Sequence, residues 1–252
     1  MLKFDFRDRV VIVTGAAHGI GKVIAARFKE AGATVYLVDI AEDAVAEAGR
    51  ELQCGYFAAD LSKREQASEL VASVVEKEGR LDILALAAGG NCGYLGLEIE
   101  KITPENWQMI LSANLDSVIW LAQAGSAVMK TQGWGRIITI TSGAGLRPGL
   151  AGLHAYTAAK HAVVGLTKQL SLSLGRFGIT VNSVAPGLVL SSKAAIVQWE
   201  GYGEDGQRRF KESLHTGRVG EADDIAMPTL FFASEEAGWI TGQVLSADGG
   251  RS

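Results

Sequence analysis

Arg9-Val-Val-Ile-Val-Thr14 runs directly into Gly15-Ala-Ala-His-Gly19-Ile-Gly21, and an amphipathic helical stretch carries on from there to Ala31. The first segment is a short β-branched run, the pattern of a buried strand. A strand, a glycine turn and a helix in that order form the context in which such glycines hold a dinucleotide phosphate. Gly15 permits the tight turn and Gly19 a close backbone approach to pyrophosphate. Gly21 lets the helix pack on the strand, and the helix N-terminus offers free N–H groups and the positive end of its dipole.

The next strand, Thr34-Val-Tyr-Leu-Val-Asp39, ends on a carboxylate 18 residues beyond Gly21. That is near the roughly 20 at which an acidic residue meets the adenosine ribose hydroxyls. A 2′-phosphate there would meet negative charge, and Ile40-Ala41-Glu42 supplies no Lys or Arg. NAD is therefore favoured over NADP. An Asp that only closes a strand-end turn is the competing reading.

Further apolar runs and helical stretches alternate along the whole chain. Strands are expected near 9–14, 34–39, 55–59, 81–87, 135–141, 179–185 and 242–247, and helices near 20–31, 41–52, 63–78, 104–130, 153–176 and 221–233. This order predicts an α/β fold: a three-layer, doubly wound arrangement around a mostly seven-stranded parallel sheet, with residues 1–252 as one domain. The stretch from about 188 to 217 is long, mixed in polarity and holds Gly201-Tyr-Gly-Glu-Asp-Gly206. A connection of that length usually has its own helix or a function. It reads as a substrate lid.

A second constellation lies further on. In Ala155-Tyr-Thr-Ala-Ala-Lys-His161, Tyr156 and Lys160 are four residues apart, and Ser142 precedes Tyr156 by fourteen. An i, i+4 pair shares one helix face. A free phenol titrates near pKa ~10, and a neighbouring ammonium favours the phenolate, which tunes it for proton exchange. Alone, the pair could equally be an exposed Tyr and a solvated Lys. Ser142, in Thr141-Ser-Gly143 at the end of an apolar run, stands where open α/β sheets place their ligands. It lacks the Gly-x-Ser-x-Gly elbow of a hydrolase.

Composition narrows the classes. A chain of 252 residues can bury a full core. A net charge of −4 from 24 basic and 28 acidic residues, mixed along the chain, leaves no basic stripe for nucleic acid or anionic lipid. Charges in Met1-Leu-Lys-Phe-Asp-Phe-Arg-Asp8 are unlike a secretory signal, and no apolar run approaches the ~18 residues of a membrane span. Cys54 and Cys92 have no motif spacing and read as reduced thiols of a cytoplasmic protein. His18, His154, His161 and His215 have no companions at metal-ligand spacing, so no metal site is expected.

Thr14-Gly-x-x-x-Gly-Ile-Gly21 with Ser142 and Tyr156-x-x-x-Lys160 resembles the short-chain dehydrogenase/reductase superfamily, in its compact single-domain branch, from about Phe6 to Gly250. The resemblance implies an NAD-dependent alcohol dehydrogenase or carbonyl reductase that passes a hydride between nicotinamide and a secondary alcohol or ketone. Tyr156 would exchange the proton and Ser142 would hold the substrate oxygen. Lys160 would lower the Tyr156 pKa and hold the nicotinamide ribose, and Asn114 would complete a proton path through a water. A buried Asn114 that merely satisfies local backbone groups is the alternative. The cofactor would lie on Gly15, His18, Gly19, Ile20 and Gly21, with Asp39 and Ile40 at its ribose. Asp60 and Leu61 would meet the adenine, though Asp60 could also cap a helix. Ala88 and Gly89 would let the backbone approach, and Pro186, Gly187, Val189 and Ser191 would surround the nicotinamide. Leu86-Ala87-Ala88-Gly89 departs from the family's Asn-Asn-Ala-Gly and loses two carboxamides.

The family commonly forms D2 tetramers, and small residues such as Ala122-Gln-Ala-Gly-Ser-Ala127 suit helix packing between copies, so a homotetramer is expected. Arg147 follows Ser142 by five residues and His154 precedes Tyr156 by two. With Lys193 on the lid and Asn91 after the fourth strand, they suggest a polar, polyhydroxylated or anionic substrate such as a sugar, polyol or acid derivative. Solvated surface charge is the alternative for Arg147 and Lys193. Two other classes stay open: an NADPH-dependent 3-oxoacyl-type reductase, and a non-catalytic NAD-binding relative.

Overall fold

The computed structural model describes residues 4–94 and 96–250, so Met1–Lys3 of the charged N-terminal segment lie outside the described residues. Seven strands form one parallel sheet in the order β3-β2-β1-β4-β5-β6-β7. They are β1 (Val10–Thr14), β2 (Thr34–Asp39), β3 (Gly55–Ala58), β4 (Ile83–Leu86), β5 (Gly135–Ile140), β6 (Ile179–Pro186) and β7 (Val244–Ala247). The direction of winding reverses between β1 and β4, which opens a crevice at the carboxyl ends of those strands.

Alternate residues of the five inner strands feed two cores. Val11, Val13, Leu37 and Ile138 meet Ile24 and Phe28 of α1 (Gly19–Glu30), Val45 of α2 (Glu42–Leu52) and Ile225 of α9 (Asp223–Ala233). Ile12, Val38, Leu84 and Ile137 meet Leu70 and Val74 of α3 (Arg64–Glu78), Leu121 of α5 (Ser117–Gln132) and Val163 of α6 (His154–Leu174). Covered on both faces, β1, β4, β5 and β6 are buried along their whole lengths. This fits the apolar runs of β1 and β4, while β5 and β6 also bury Arg136, Thr139, Thr180, Asn182 and Ser183. At the opposite end of the sheet the buried carboxylate of Asp82 accepts from the Val10 N–H at 2.9 Å and pairs with Arg80 and Arg9.

Three details differ from the sequence reading. The expected helix over 104–130 is interrupted: α4 (Pro104–Leu111) gives way to a π-helical turn over Ser112–Asp116 before α5 begins. The cause is Asn114, whose amide donates to the Ile110 carbonyl at 2.8 Å and so competes with the backbone ladder. The Ala122–Ala127 stretch is partly used within the subunit, because a Cβ on Gly125 would lie 2.7 Å from a Leu84 methyl and Ala122 is fully buried. The 188–217 connection holds two helices, α7 (Lys193–Gly201) and α8 (Gly203–Glu212), joined by packing of Trp199, Tyr202 and Phe210. No helix among the described residues is long and apolar enough to cross a membrane.

Candidate active site

A cavity of about 1270 Å³ opens along the carboxyl ends of the strands. That exceeds the roughly 300–1,000 Å³ of a pocket for one drug-sized ligand and leaves room for a long cofactor with a second molecule. The glycine turn forms one wall. A Cβ on Gly21 would lie 2.2 Å from the Gly15 carbonyl oxygen, and one on Gly15 would lie 2.9 Å from the Ala87 carbonyl. Gly15 and Gly19 also sit at φ of 62° and 60°, the left-handed region. The first turn of α1 therefore rests against the end of β1. His18 precedes it without any side-chain cap, so its leading N–H groups face the cavity. Donors of this kind, on a cradle that a Cβ would fill, fit the diphosphate of a dinucleotide.

Asp39 ends β2 on the same wall. Its carboxylate accepts from the Ala17 N–H at 3.2 Å and the Ala41 N–H at 3.1 Å, which fixes its direction and leaves lone pairs on both oxygens. Asp60 accepts from the Ser62 N–H and hydroxyl at 3.0 and 2.6 Å and so closes its own turn; α3 starts later, after Lys63, without a side-chain cap. The replaced carboxamides leave no hole. Leu86 is buried in the sheet, and the Ala88 N–H donates to the Thr14 hydroxyl at 3.0 Å, which ties β4 to β1 at the point of reversal. Every residue that the resemblance assigns to the cofactor lies on this cavity's wall, from Gly15, His18, Gly19, Ile20 and Gly21 through Asp39, Ile40, Asp60, Leu61, Ala88 and Gly89 to Pro186, Gly187, Val189 and Ser191.

Ser142, Tyr156 and Lys160 line the same cavity. Ser142 caps the short 3₁₀ turn Gly143–Gly145 and accepts from the Ala144 N–H at 3.1 Å, so its own proton is free to be given elsewhere. Burial pushes the Tyr156 phenol up from its ordinary value, and only its hydrogen bond with Ser142 works the other way. Here the structure corrects the expected tuning. The Lys160 ammonium donates to the Ile140 carbonyl at 3.0 Å and stands 5.6 Å from the centre of the Tyr156 ring. Ser142, rather than Lys160, is the neighbour that favours the phenolate.

Asn114 is fully buried and off the cavity wall, although Ser112 and Ala113 lie on it. Its amide donates to the Gly90 carbonyl at 2.7 Å and accepts from the Gly90 N–H at 3.0 Å. The side chain thus clamps the loop after β4, which is the alternative that the sequence left open.

Of the residues expected to bind substrate, Ser142 and Tyr156 line the cavity, and Asn91, Arg147, His154 and Lys193 do not. Arg147 turns to the Asp248 carboxylate at 2.9 Å. His154 is exposed at the start of α6, since a residue two positions before Tyr156 projects from a different face of the helix. Lys193 is exposed as the first residue of α7, where the neighbouring Ser192 and Ala195 face inward instead. The Asn91 carboxamide accepts from the Gly93 N–H at 3.3 Å within its own loop. Sequence reasoning missed Cys92, Gln108, Met109, Ser112 and Ser192 on the wall. A serine beside Ser191 was a usable signal; the α4 residues gave none. Among the described residues no cluster could hold a metal ion.

The comparisons with known proteins agree with this geometry. A family model described as enoyl-(acyl carrier protein) reductase, of the short-chain alcohol dehydrogenase type, matches residues 15–252. The BbsD subunit of a hydroxy(phenyl)methylsuccinyl-CoA dehydrogenase from Thauera aromatica is 37% identical, the match covering 98% of this chain and 97% of that one. A 3-oxoacyl-(acyl-carrier-protein) reductase from Chlamydia muridarum is 33% identical over 96% and 97%. Among solved structures, a 7α-hydroxysteroid dehydrogenase complexed with NADH and 7-oxo glycochenodeoxycholic acid superposes with a TM-score of 0.90 at 30% identity, over 99% and 96% of the two chains. The chain belongs to the short-chain dehydrogenase/reductase family of oxidoreductases, whose members use nicotinamide cofactors.

Burial depresses the Lys160 pKa to about 8. The unfolded chain, titrating near ~10.4, therefore binds more protons between these values, and stability rises with pH across that window. Below about pH 8 the folded protein bears the full cost of a buried ammonium. Lys160→Met removes that cost. The variant's advantage in unfolding free energy over the parent should be largest below pH 8 and shrink by about 3 kcal/mol at most as pH approaches 10. Denaturant titrations across this range read the difference, and a gap that does not change with pH would contradict it.

Proposed function

We propose that the protein is an NAD(H)-dependent oxidoreductase that interconverts a secondary alcohol and its ketone. The observation that carries the reading is that Ser142, Tyr156 and Lys160 line the same cavity as the glycine turn and Asp39. The bound cofactor supplies the hydride acceptor or donor. In oxidation Tyr156 takes the hydroxyl proton of the alcohol, and Ser142, already oriented by the Ala144 N–H, holds the same oxygen. Lys160, anchored on the Ile140 carbonyl, would contribute a donor toward the nicotinamide ribose. The helices α7 and α8 form a lid over the substrate end.

Asp39 supports NAD, because its carboxylate faces the ribose end of the cavity without a basic neighbour in Ile40-Ala41-Glu42. A second reading, an NADPH-dependent 3-oxoacyl-type reductase, draws on Lys63, which lies on the same wall and could meet a 2′-phosphate. For the substrate we favour a polar, hydroxylated molecule. With Arg147 turned to Asp248, recognition of a charged acid loses its main support. The cavity wall offers Gln108, Ser112 and Ser192 as neutral polar side chains, which suits a neutral hydroxylated group.

The homotetramer remains our reading of the assembly. Trp239 is 99% exposed, Leu172 77% and Leu245 43%. A Cβ on Gly242 would touch the Ser171 hydroxyl at 2.7 Å, which brings the Trp239 loop beside Leu172, next to the open edge of β7. Further copies would cover such a face. Sedimentation at micromolar concentration should give about four times the 26.6 kDa chain, and a monomer would refute it.

The functional test is a panel of polyols, sugars, hydroxy acids and aryl alcohols assayed with NAD and NADP separately. Turnover should be faster with NAD and should fall roughly 10²–10⁴-fold in Tyr156→Phe, which keeps the ring but loses the proton. Near-parental rates in Tyr156→Phe would overturn the mechanism, and equal or better use of NADP would overturn the cofactor assignment.

A further inference from the structure

The turn that carries Ser142 is held from two sides. On one side it packs on α6, where a Cβ on Gly145 would lie 2.8 Å from the Lys160 carbonyl oxygen. On the other side stands Arg147, whose N–H donates to the Gly143 carbonyl at 3.1 Å. Its guanidinium is 3.7 Å from where a Gly143 Cβ would be and reaches the Asp248 carboxylate at 2.9 Å. Asp248 is itself anchored. Its second oxygen accepts from the Gly250 N–H at 3.0 Å, and its side chain is only 7% exposed against 32% for Arg147.

Asp248 also abuts the other half of the site. The Gly187 N–H donates to the Ala247 carbonyl at 3.1 Å, and a Cβ on Gly187 would lie 2.8 Å from the Asp248 Cα. One ion pair therefore links the Ser142 turn to Asp248, which abuts the Pro186–Gly187 end of β6, while the base of the turn is held to β6 by the Thr141 N–H, which donates to the Val184 carbonyl at 2.9 Å.

We propose that Arg147 and Asp248 are a positioning pair that sets Ser142 at its working distance from the Pro186–Gly187 floor. The inference rests on the oxidoreductase reading above. Neither residue lines the cavity. Removing Arg147 takes a partner from a largely buried carboxylate, which then shifts toward other partners or solvent and releases the turn. Misplacement of a substrate-holding group by about 1 Å can cost on the order of 10²-fold in rate.

The test is a double-mutant cycle, with NAD and the fastest alcohol of a panel that includes 2,3-butanediol. Arg147→Met should lower kcat about tenfold while the KM for NAD stays within about twofold. In a Ser142→Ala background the same substitution should cost less than about twofold, because the group it positions is gone. Asp248→Asn should behave like Arg147→Met, and Arg147→Lys should recover most of the rate. Hydrogen exchange read without substrate should speed up over Ser142–Arg147 in Arg147→Met. Equal losses in both backgrounds, a loss confined to the KM for NAD, or unchanged exchange would each overturn the pair's role. A parental protein without Tyr156-dependent turnover on any alcohol would instead reject the oxidoreductase reading, and exchange would still decide whether the pair holds the turn.

Discussion

The contact on which the structure depends is the approach of Gly21 to Gly15, so close that a Cβ would stand 2.2 Å from the carbonyl oxygen. It brings the first turn of α1 onto the end of β1, where the sheet reverses its winding. From that contact follow the uncapped N–H groups at the cavity, the direction of Asp39 through the Ala17 N–H and the seat of Ala87–Ala88 against Gly15. A bulkier turn would separate the helix from the strand and close the crevice.

The chemistry on the far wall rests on a balance between burial and hydrogen bonding. Lys160 sits in the sheet–helix interface with the Ile140 carbonyl as its hydrogen-bond acceptor, and desolvation leaves it easier to deprotonate than a surface lysine. Tyr156 is pushed the other way by the same burial, and Ser142 opposes that push. Tyr156 and Lys160 are therefore both drawn toward their neutral forms because of where the fold puts them. The positions of Ser142 and Lys160 are coupled through Gly145, whose lack of a side chain allows the turn to lie on α6.

Much of this was legible in the chain. Parallel strands covered on both faces tend toward continuous apolar runs, so Val10–Thr14 announced itself, and the glycine turn carries its own spacing. What escaped depends on partners distant in sequence. Asn114 breaks the long helix because its amide bonds Gly90, 24 residues away, as well as Ile110. Arg147 leaves the cavity because Asp248, 101 residues on, receives it. No local pattern encodes either pairing. His154 was different: two positions from Tyr156 already means a different face of the helix, so its absence from the wall was open to deduction.

The most direct measurement is the affinity for NAD of the parent and of Gly21→Val, followed by intrinsic fluorescence, with circular dichroism to verify the fold. The parent should bind NAD at micromolar to millimolar concentration, of order −4 to −8 kcal/mol, and Gly21→Val should lose that binding while keeping its secondary structure. A Gly21→Val protein that folds and binds NAD as the parent does would contradict the account, because the cofactor would then not rest on this turn.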